Sequence, residues 1–282
     1  MTEAPFGTYA LPARLESLRR FGQELGTGAI ARRLTSLIRR ICLTGRPDPI
    51  DVEPFPGQKA RLHPRDNLSE KRVFGASQFW DAEEREALAL HRDRCESPFA
   101  FVDAGANVGL YTLAVRSKGP IQGVAIEPDP ENLRRLRFNL EASDSNDVVL
   151  ADCALSDTAG QIELAVVEGN RGEISGAGAQ AGETVTVASR PLLDVVRDAG
   201  FTRIDALKID IEGMELPVLK AFFSEAPEKM HPGMIILEAR RGEETPALAF
   251  LRQRRYMPVQ RTKMNVILTP QGEQKELSNG QA

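Results

Sequence analysis

The sequence predicts an α/β chain built on a mostly parallel sheet with helices on both faces. Three observations predict it. Short apolar runs recur at strand length: "FAFVDA" (99–104), "GVAIEP" (123–128), "VVLADC" (148–153), "IDALKID" (204–210) and "MIILEA" (234–239). Stretches with helical spacing separate them, such as Pro130 to Ala142 and Arg190 to Ala199, which is the rhythm of parallel strands joined by crossover helices. Finally, 282 residues with 41% hydrophobic side chains suffice for one large core plus an extension.

Residues 11 to 46 carry eight arginines (Arg14, Arg19, Arg20, Arg32, Arg33, Arg39, Arg40 and Arg46) against Glu16 and Glu24, a local balance of +6. Leu15, Leu18, Ala31, Leu34, Leu37, Ile38 and Ile41 fall near helical spacing, so one or two amphipathic helices are expected. An arm folded over the main domain with its arginines solvated is the favoured reading. Peripheral membrane contact through this basic arm is the alternative. "GRPDPIDVEPFPGQ" (45–58) carries four prolines and reads as a linker. A polar approach segment follows, then a helix near Asp81 to Arg92 with Asp81 as its N-cap. Between the third and fourth core strands, "QIELAVVE" (161–168) and "ETVTVA" (183–188) alternate as half-exposed strands do. They predict an inserted β-hairpin tipped by the glycine-rich "GNRGEISGAGAQAG". "MNVILTP" (264–270) is a last strand, and 271–282 reads as a disordered tail.

The formal charge of −4 and pI near 5.6 offer no electrostatic reason to expect a nucleic-acid partner. Cys42, Cys95 and Cys153 lie far apart with neither CxxC nor Cys/His spacing. They suggest no disulfide framework and no zinc site, and a cytoplasmic location is expected. No membrane-spanning run or signal-peptide pattern is read from the sequence. His63, His91 and His231 sit in no recognisable site.

The turn in "FVDAGANVGLYTLA" (101–114) limits the ligand. A dinucleotide fold asks for G-x-G-x-x-G, but here the spacing is Gly105-x-Asn107-x-Gly109, and Asp103 sets a carboxylate at the strand end. Both features oppose a phosphate, and no Gly-Lys-Ser/Thr follows to make a P-loop. A cationic ligand with hydroxyls fits better, and S-adenosylmethionine is such a ligand. Glu127 lies 24 positions after Asp103, the offset at which an acid at the second strand's tip meets ribose hydroxyls. Asp152, at the third strand's tip, is placed to accept from an adenine amino group.

"DAGANVGLYTL", "IEPDPENLRRLRFNL", "ADCALSDTAGQIEL", "GNRGEISGAG", "LKIDIEGMELPVLKAF" and "IILEAR" occur in the order typical of the FkbM-like family of S-adenosylmethionine-dependent methyltransferases, which the chain resembles over about residues 95 to 268. The resemblance implies a Rossmann-like class I methyltransferase fold with a seven-stranded sheet whose final strand is antiparallel, and O-methylation as the usual activity. Carried over by position, Asp103, Gly105, Asn107 and Gly109 form the methionine-side loop, Glu127 is the ribose acid and Asp152 an adenine contact. The family's serine-rich glycine loop is reduced here to Ser175 and Gly176, and Pro217 enters the turn after "IEGMEL". The chain then divides into an arm and linker (1–58), a methyltransferase domain (59–270) and the tail.

Lys208, Asp210 and Glu212 recur with a period of two and share one face of a strand that otherwise reads as buried. One reading pairs Lys208 with Asp210 inside the sheet. The favoured one sets all three at the strand's C-terminal lip, with Glu238 on the neighbouring strand. Asp210 or Glu212 is then the general base for a substrate hydroxyl, with Lys208 tuning it. Mg²⁺ held by the same acids is the less favoured alternative. The expected activity is O-methylation of a small molecule, sugar or glycolipid. A non-catalytic cofactor-binding module is the alternative, and an NAD-dependent oxidoreductase is further opposed by Asp103 and Asn107.

Overall fold

The computed structural model describes residues 3–165 and 184–272. The glycine-rich hairpin tip, with Ser175 and Gly176, and residues 273–282 of the expected tail lie outside the described residues. The chain opens with helices α1 (Ala13–Glu24) and α2 (Ala29–Leu43), a hairpin of β1 (Ile50–Phe55) and β2 (Gln58–Leu62), and helices α3 (Leu68–Ala76) and α4 (Ala82–Arg92). Alternation follows: β3 (Phe99–Ala104), α5 (Leu110–Arg116), β4 (Ile121–Ile126), α6 (Pro130–Ala142) and β5 (Val148–Ala151). The inserted sheet comprises β6 (Ala154–Leu155), β7 (Gly160–Ala165) and β8 (Thr184–Arg190). The second half runs α7 (Leu192–Asp198), β9 (Ala206–Ile209), α8 (Glu215–Glu225), β10 (Met234–Glu238), α9 (Pro246–Gln253), β11 (Tyr256–Arg261) and β12 (Asn265–Pro270).

Seven strands form the main sheet in the order β11-β12-β10-β9-β3-β4-β5. β5, β4, β3, β9 and β10 are parallel, and β12 is antiparallel to both β10 and β11. The chain starts at β3, winds outward to β5, then returns to β9 on the other side of β3. That reversal opens a crevice at the C-terminal ends of β3 and β9, the ligand-binding place of open α/β sheets. The strands' period of two divides the core between the faces. Phe99 and Phe101 of β3 join Leu113 and Leu136 on one face, while Ala100, Val102 and Ala104 join Val196, Leu219 and Phe222 on the other. Each fully buried phenylalanine contributes about 1.5–3 kcal/mol of apolar burial.

The arm belongs to the first of these cores: Ile38 and Cys42 of α2 and Val52 of β1 sit in one cluster with Phe101 and Leu113. Two expectations change there. Residues 50–55, read as linker, form a strand. Pro54 is tolerated because the hairpin has only two strands and its register shifts between Val52 and Phe55, where no ladder hydrogen bond is lost. Arg19, read as solvated, is buried; it is ion-paired to Glu16 and donates to the carbonyls of Phe74 and Glu53, tying α1 to α3 and β1. Pro217 falls in the first turn of α8, where its missing N–H leaves no bond unmade. Among the described residues no helix is long and apolar enough to cross a membrane.

Candidate active site

A cavity of about 320 Å³ fills the crevice, within the size range of small-molecule sites. Its floor is the turn after β3. Gly105 adopts φ +76°, and a Cβ there would stand 1.8 Å from the carbonyl oxygen of Asp210. The close approach that demands glycine is therefore to the end of β9. Asn107 also has positive φ, its N–H donates to Glu127 Oε2 at 2.7 Å, and its side chain accepts from Asn67. Gly109 does not line the cavity; at φ +85° it begins α5, and a Cβ would stand 2.5 Å from Leu136 of α6.

Glu127 faces the cavity from the tip of β4 and is only 3% exposed. Burial pushes its carboxyl up to about 7, against the opposing effect of the N–H groups of Asp129 and Asn107. Asp103 does not reach the cavity. It is fully buried behind the turn, where Oδ2 accepts from Thr112 N–H at 3.1 Å and Thr112 Oγ1 at 2.7 Å. The first turn of α5, which needs acceptors for its free N–H groups, takes up this carboxylate in place of a ligand cation. Oδ1 has no hydrogen-bond partner among the described residues. Burial raises the Asp103 carboxyl despite Lys208, its cross-strand neighbour. Asp152 is likewise absent from the wall. β5 ends at Ala151, Asp152 turns out to solvent, and Cys153, Ala154 and Leu155 present an apolar side instead.

Lys208, Asp210 and Glu212 do meet at the lip. Lys208 Nζ donates to the Gly105 carbonyl at 2.8 Å and lies 3.3 Å from Asp210 Oδ2. Burial would lower its pKa, but the charges of Asp210 and Asp103 outweigh that and hold the ammonium above its usual value. Burial likewise acts to raise Asp210, yet Lys208 and a hydrogen bond with Glu238 keep its carboxyl low. Glu238 carries the complementary effect: burial and the Asp210 charge push it up to about 8. Glu238 opens into an adjoining groove rather than this cavity, while Glu212 borders both. Among the described residues no group of three or more His, Cys, Asp or Glu side chains is gathered to hold a metal ion.

Asp81 and Tyr111 are wall residues to which the sequence assigned no part in the site, and both meet Trp80, at the end of the approach segment. Asp81 stands at the cap position of α4 but makes no capping bond; its φ is +40°, and Oδ2 accepts from Tyr111 O–H at 2.7 Å. Trp80 packs edge-on against Tyr111 with ring centroids 4.9 Å apart. Burial raises the Asp81 carboxyl. Of the five non-glycine residues with positive φ among the described residues, Asp81, Asn107 and Glu212 line this one cavity, a clustering of backbone strain that marks functional sites. The sequence did hold a signal for Tyr111, two positions past Gly109, but nothing local tied it to Trp80 or Asp81.

A parallel sheet closed by one antiparallel strand, with an acid-lined crevice at its switch point, defines a class I methyltransferase. Residues 103–261 match the model of the methyltransferase FkbM domain, and the chain belongs to that family. It is 35% identical over 161 residues to the methyltransferase sdnD of Sordaria araneosa, covering 46% of this chain and 62% of that protein. The chain thus spans less than two thirds of the curated relative it matches. Among solved structures it is similar to a precorrin-6y C5,15-methyltransferase of Geobacter metallireducens (17% identity, TM-score 0.39, 67% of this chain and 88% of that one). It is also similar to M. capricolum TrmK in complex with S-adenosyl-homocysteine (10% identity, TM-score 0.39, 67% of this chain and 68% of that one).

Proposed function

We propose that the chain transfers a methyl group from S-adenosylmethionine to a hydroxyl oxygen of a small molecule, sugar or glycolipid. The observation that carries this is the charge of the cavity wall: Asp81, Glu127, Glu163, Asp210 and Glu212 line it, against Lys208 as the single cation among the described residues there. Such a wall repels phosphates and suits a cationic donor with hydroxyls, so the residues fit S-adenosylmethionine better than NAD. When bound, that donor supplies an electrophilic methyl group on a sulfonium. Glu127 is placed to accept from ribose hydroxyls, the Gly105–Asn107 backbone to hold the amino-acid end, and Cys153, Ala154 and Leu155 to cover a flat ring.

The chain's own task is to remove the hydroxyl proton. Asp81, raised by burial, is better matched to that than Asp210, which Lys208 holds ionised and weakly basic. We therefore assign the base to Asp81 and charge placement to Lys208 and Asp210, with Asp210 or Glu212 as base the alternative. The Lys208–Asp210 pair is the feature that favours a binding module without catalysis. Calorimetry with S-adenosylhomocysteine and NAD, followed by transfer of labelled methyl to a metabolite extract, tests the function. Binding of NAD without S-adenosylhomocysteine overturns the donor assignment, and donor binding without transfer favours the module.

No nucleic-acid partner is proposed. A cytoplasmic location with peripheral membrane contact is, and α2 supports it: Ile30, Leu34, Leu37 and Ile41 are exposed along one stripe, Arg33 and Arg40 flank them, and the helix holds no acid. The chain is expected to sediment with anionic vesicles and not neutral ones; failure with both removes the contact.

A further inference from the structure

A second cavity, of about 530 Å³, adjoins the first and shares Trp80 and Asp81 with it. Its wall brings together Arg32 and Arg39 of α2, Arg72 of α3 and Lys263 of the β11–β12 turn. None of the four has an ion-pair partner among the described residues. Three acids border the same cavity, each already holding a donor: Asp81 from Tyr111, Glu83 from Gln260, and Glu84 from Thr262 at 2.6 Å and Asn265 at 2.7 Å. The arginines are held in place by other means. Arg32 lies 4.4 Å over the ring of Phe79, and the stem of Arg39 lies on Gly75, where a Cβ would stand 2.5 Å from it. Burial and the neighbouring Arg72 charge depress the Arg39 pKa, as happens where like charges are gathered with no anion between them.

We propose that this cavity binds a phosphoryl group of the methyl acceptor. Three planar guanidinium forks and an ammonium match a dianion with several acceptor oxygens, and the shared wall at Trp80 and Asp81 sets that group beside the reacting hydroxyl. The substrate class is therefore a phosphorylated alcohol, whose phosphate is excluded from the acid-lined donor cavity and received here. Naming the group as the acceptor's rests on the methyltransferase function above; the anion site itself does not.

Pyrophosphate is the probe, titrated by calorimetry into the full chain with and without S-adenosylhomocysteine. The expected result is binding that leaves S-adenosylhomocysteine affinity unchanged and that weakens about tenfold or more in Arg72→Gln and in Arg32→Gln. Both residues are exposed, so either variant is expected to fold. No pyrophosphate binding, binding indifferent to both variants, or mutual displacement with S-adenosylhomocysteine overturns the proposal. If pyrophosphate binds through the arginines while S-adenosylhomocysteine does not bind, the anion site stands and the donor assignment falls. A soluble sugar phosphate and vesicles containing phosphatidic acid then separate the sources: competition by the first alone marks a soluble acceptor, by the vesicles alone a lipid-linked one.

Discussion

Lys208→Met removes the ammonium around which Asp103 and Asp210 are arranged, while keeping most of the side-chain volume. Nζ is bonded to the Gly105 carbonyl and to Asp210, and Asp103 is its cross-strand neighbour. Deleting one member of a fully buried ion pair costs about 3–5 kcal/mol; here the Asp210 side chain is 36% exposed and solvent screens its share, so the cost is at the low end and falls mainly on the fully buried Asp103. Asp103 can escape part of that cost by taking a proton. Its folded pKa is already raised by burial and rises further without the cation. A carboxyl whose folded pKa exceeds its unfolded one contributes full stability below the unfolded value and loses it as pH rises through the folded value. The deficit thus grows as pH rises above the unfolded carboxyl value and shrinks toward it, by about 1.4 kcal/mol per pH unit while one group titrates. Urea unfolding of both proteins at four pH values measures it. A deficit under about 1 kcal/mol, or one that does not vary with pH, refutes the picture of Lys208 as the counter-charge of this site.

Three further outcomes follow from the same geometry. Because the buried Glu127 carboxyl sits at about 7, donor affinity is expected to rise from pH 6 to pH 8 as the carboxylate forms, and to be flat in Glu127→Gln; calorimetry across that range decides it. Gly105→Ala should combine left-handed strain of about 1–2 kcal/mol with overlap against the Asp210 carbonyl, destabilising the fold and abolishing S-adenosylhomocysteine binding. Full binding by this variant would contradict the contact. Asp81→Asn is expected to keep donor affinity and lose turnover by roughly 10² to 10⁴, with Asp210→Asn and Glu212→Gln less affected. The reverse order moves the base to the lip, and activity lost to a chelator and restored by Mg²⁺ replaces the base with a metal.

What the sequence determined by itself is what local pattern encodes. Apolar runs at strand length and the helix over Pro130 to Ala142 are readable because side-chain period depends only on near neighbours, whereas the Asp129 cap and the order in which the strands pair came from the structure. The acids at strand tips were legible for the same reason, and Glu127, Asp210 and Glu212 do face the crevice. Only the tertiary structure decided which way the other tips turn. Asp103 and Asp152 stand at equivalent strand ends, yet the free N–H groups of α5 draw one inward and the early end of β5 turns the other out. Gly105 needs its missing Cβ because of a carbonyl more than a hundred positions away, and Asp81 became a wall residue because Tyr111 of another helix takes its carboxylate. The prolines around β1 hid a strand, since a residue unfit for a central ladder is harmless in a two-stranded hairpin. These outcomes depend on distances between segments remote in the chain, which local periodicity does not carry.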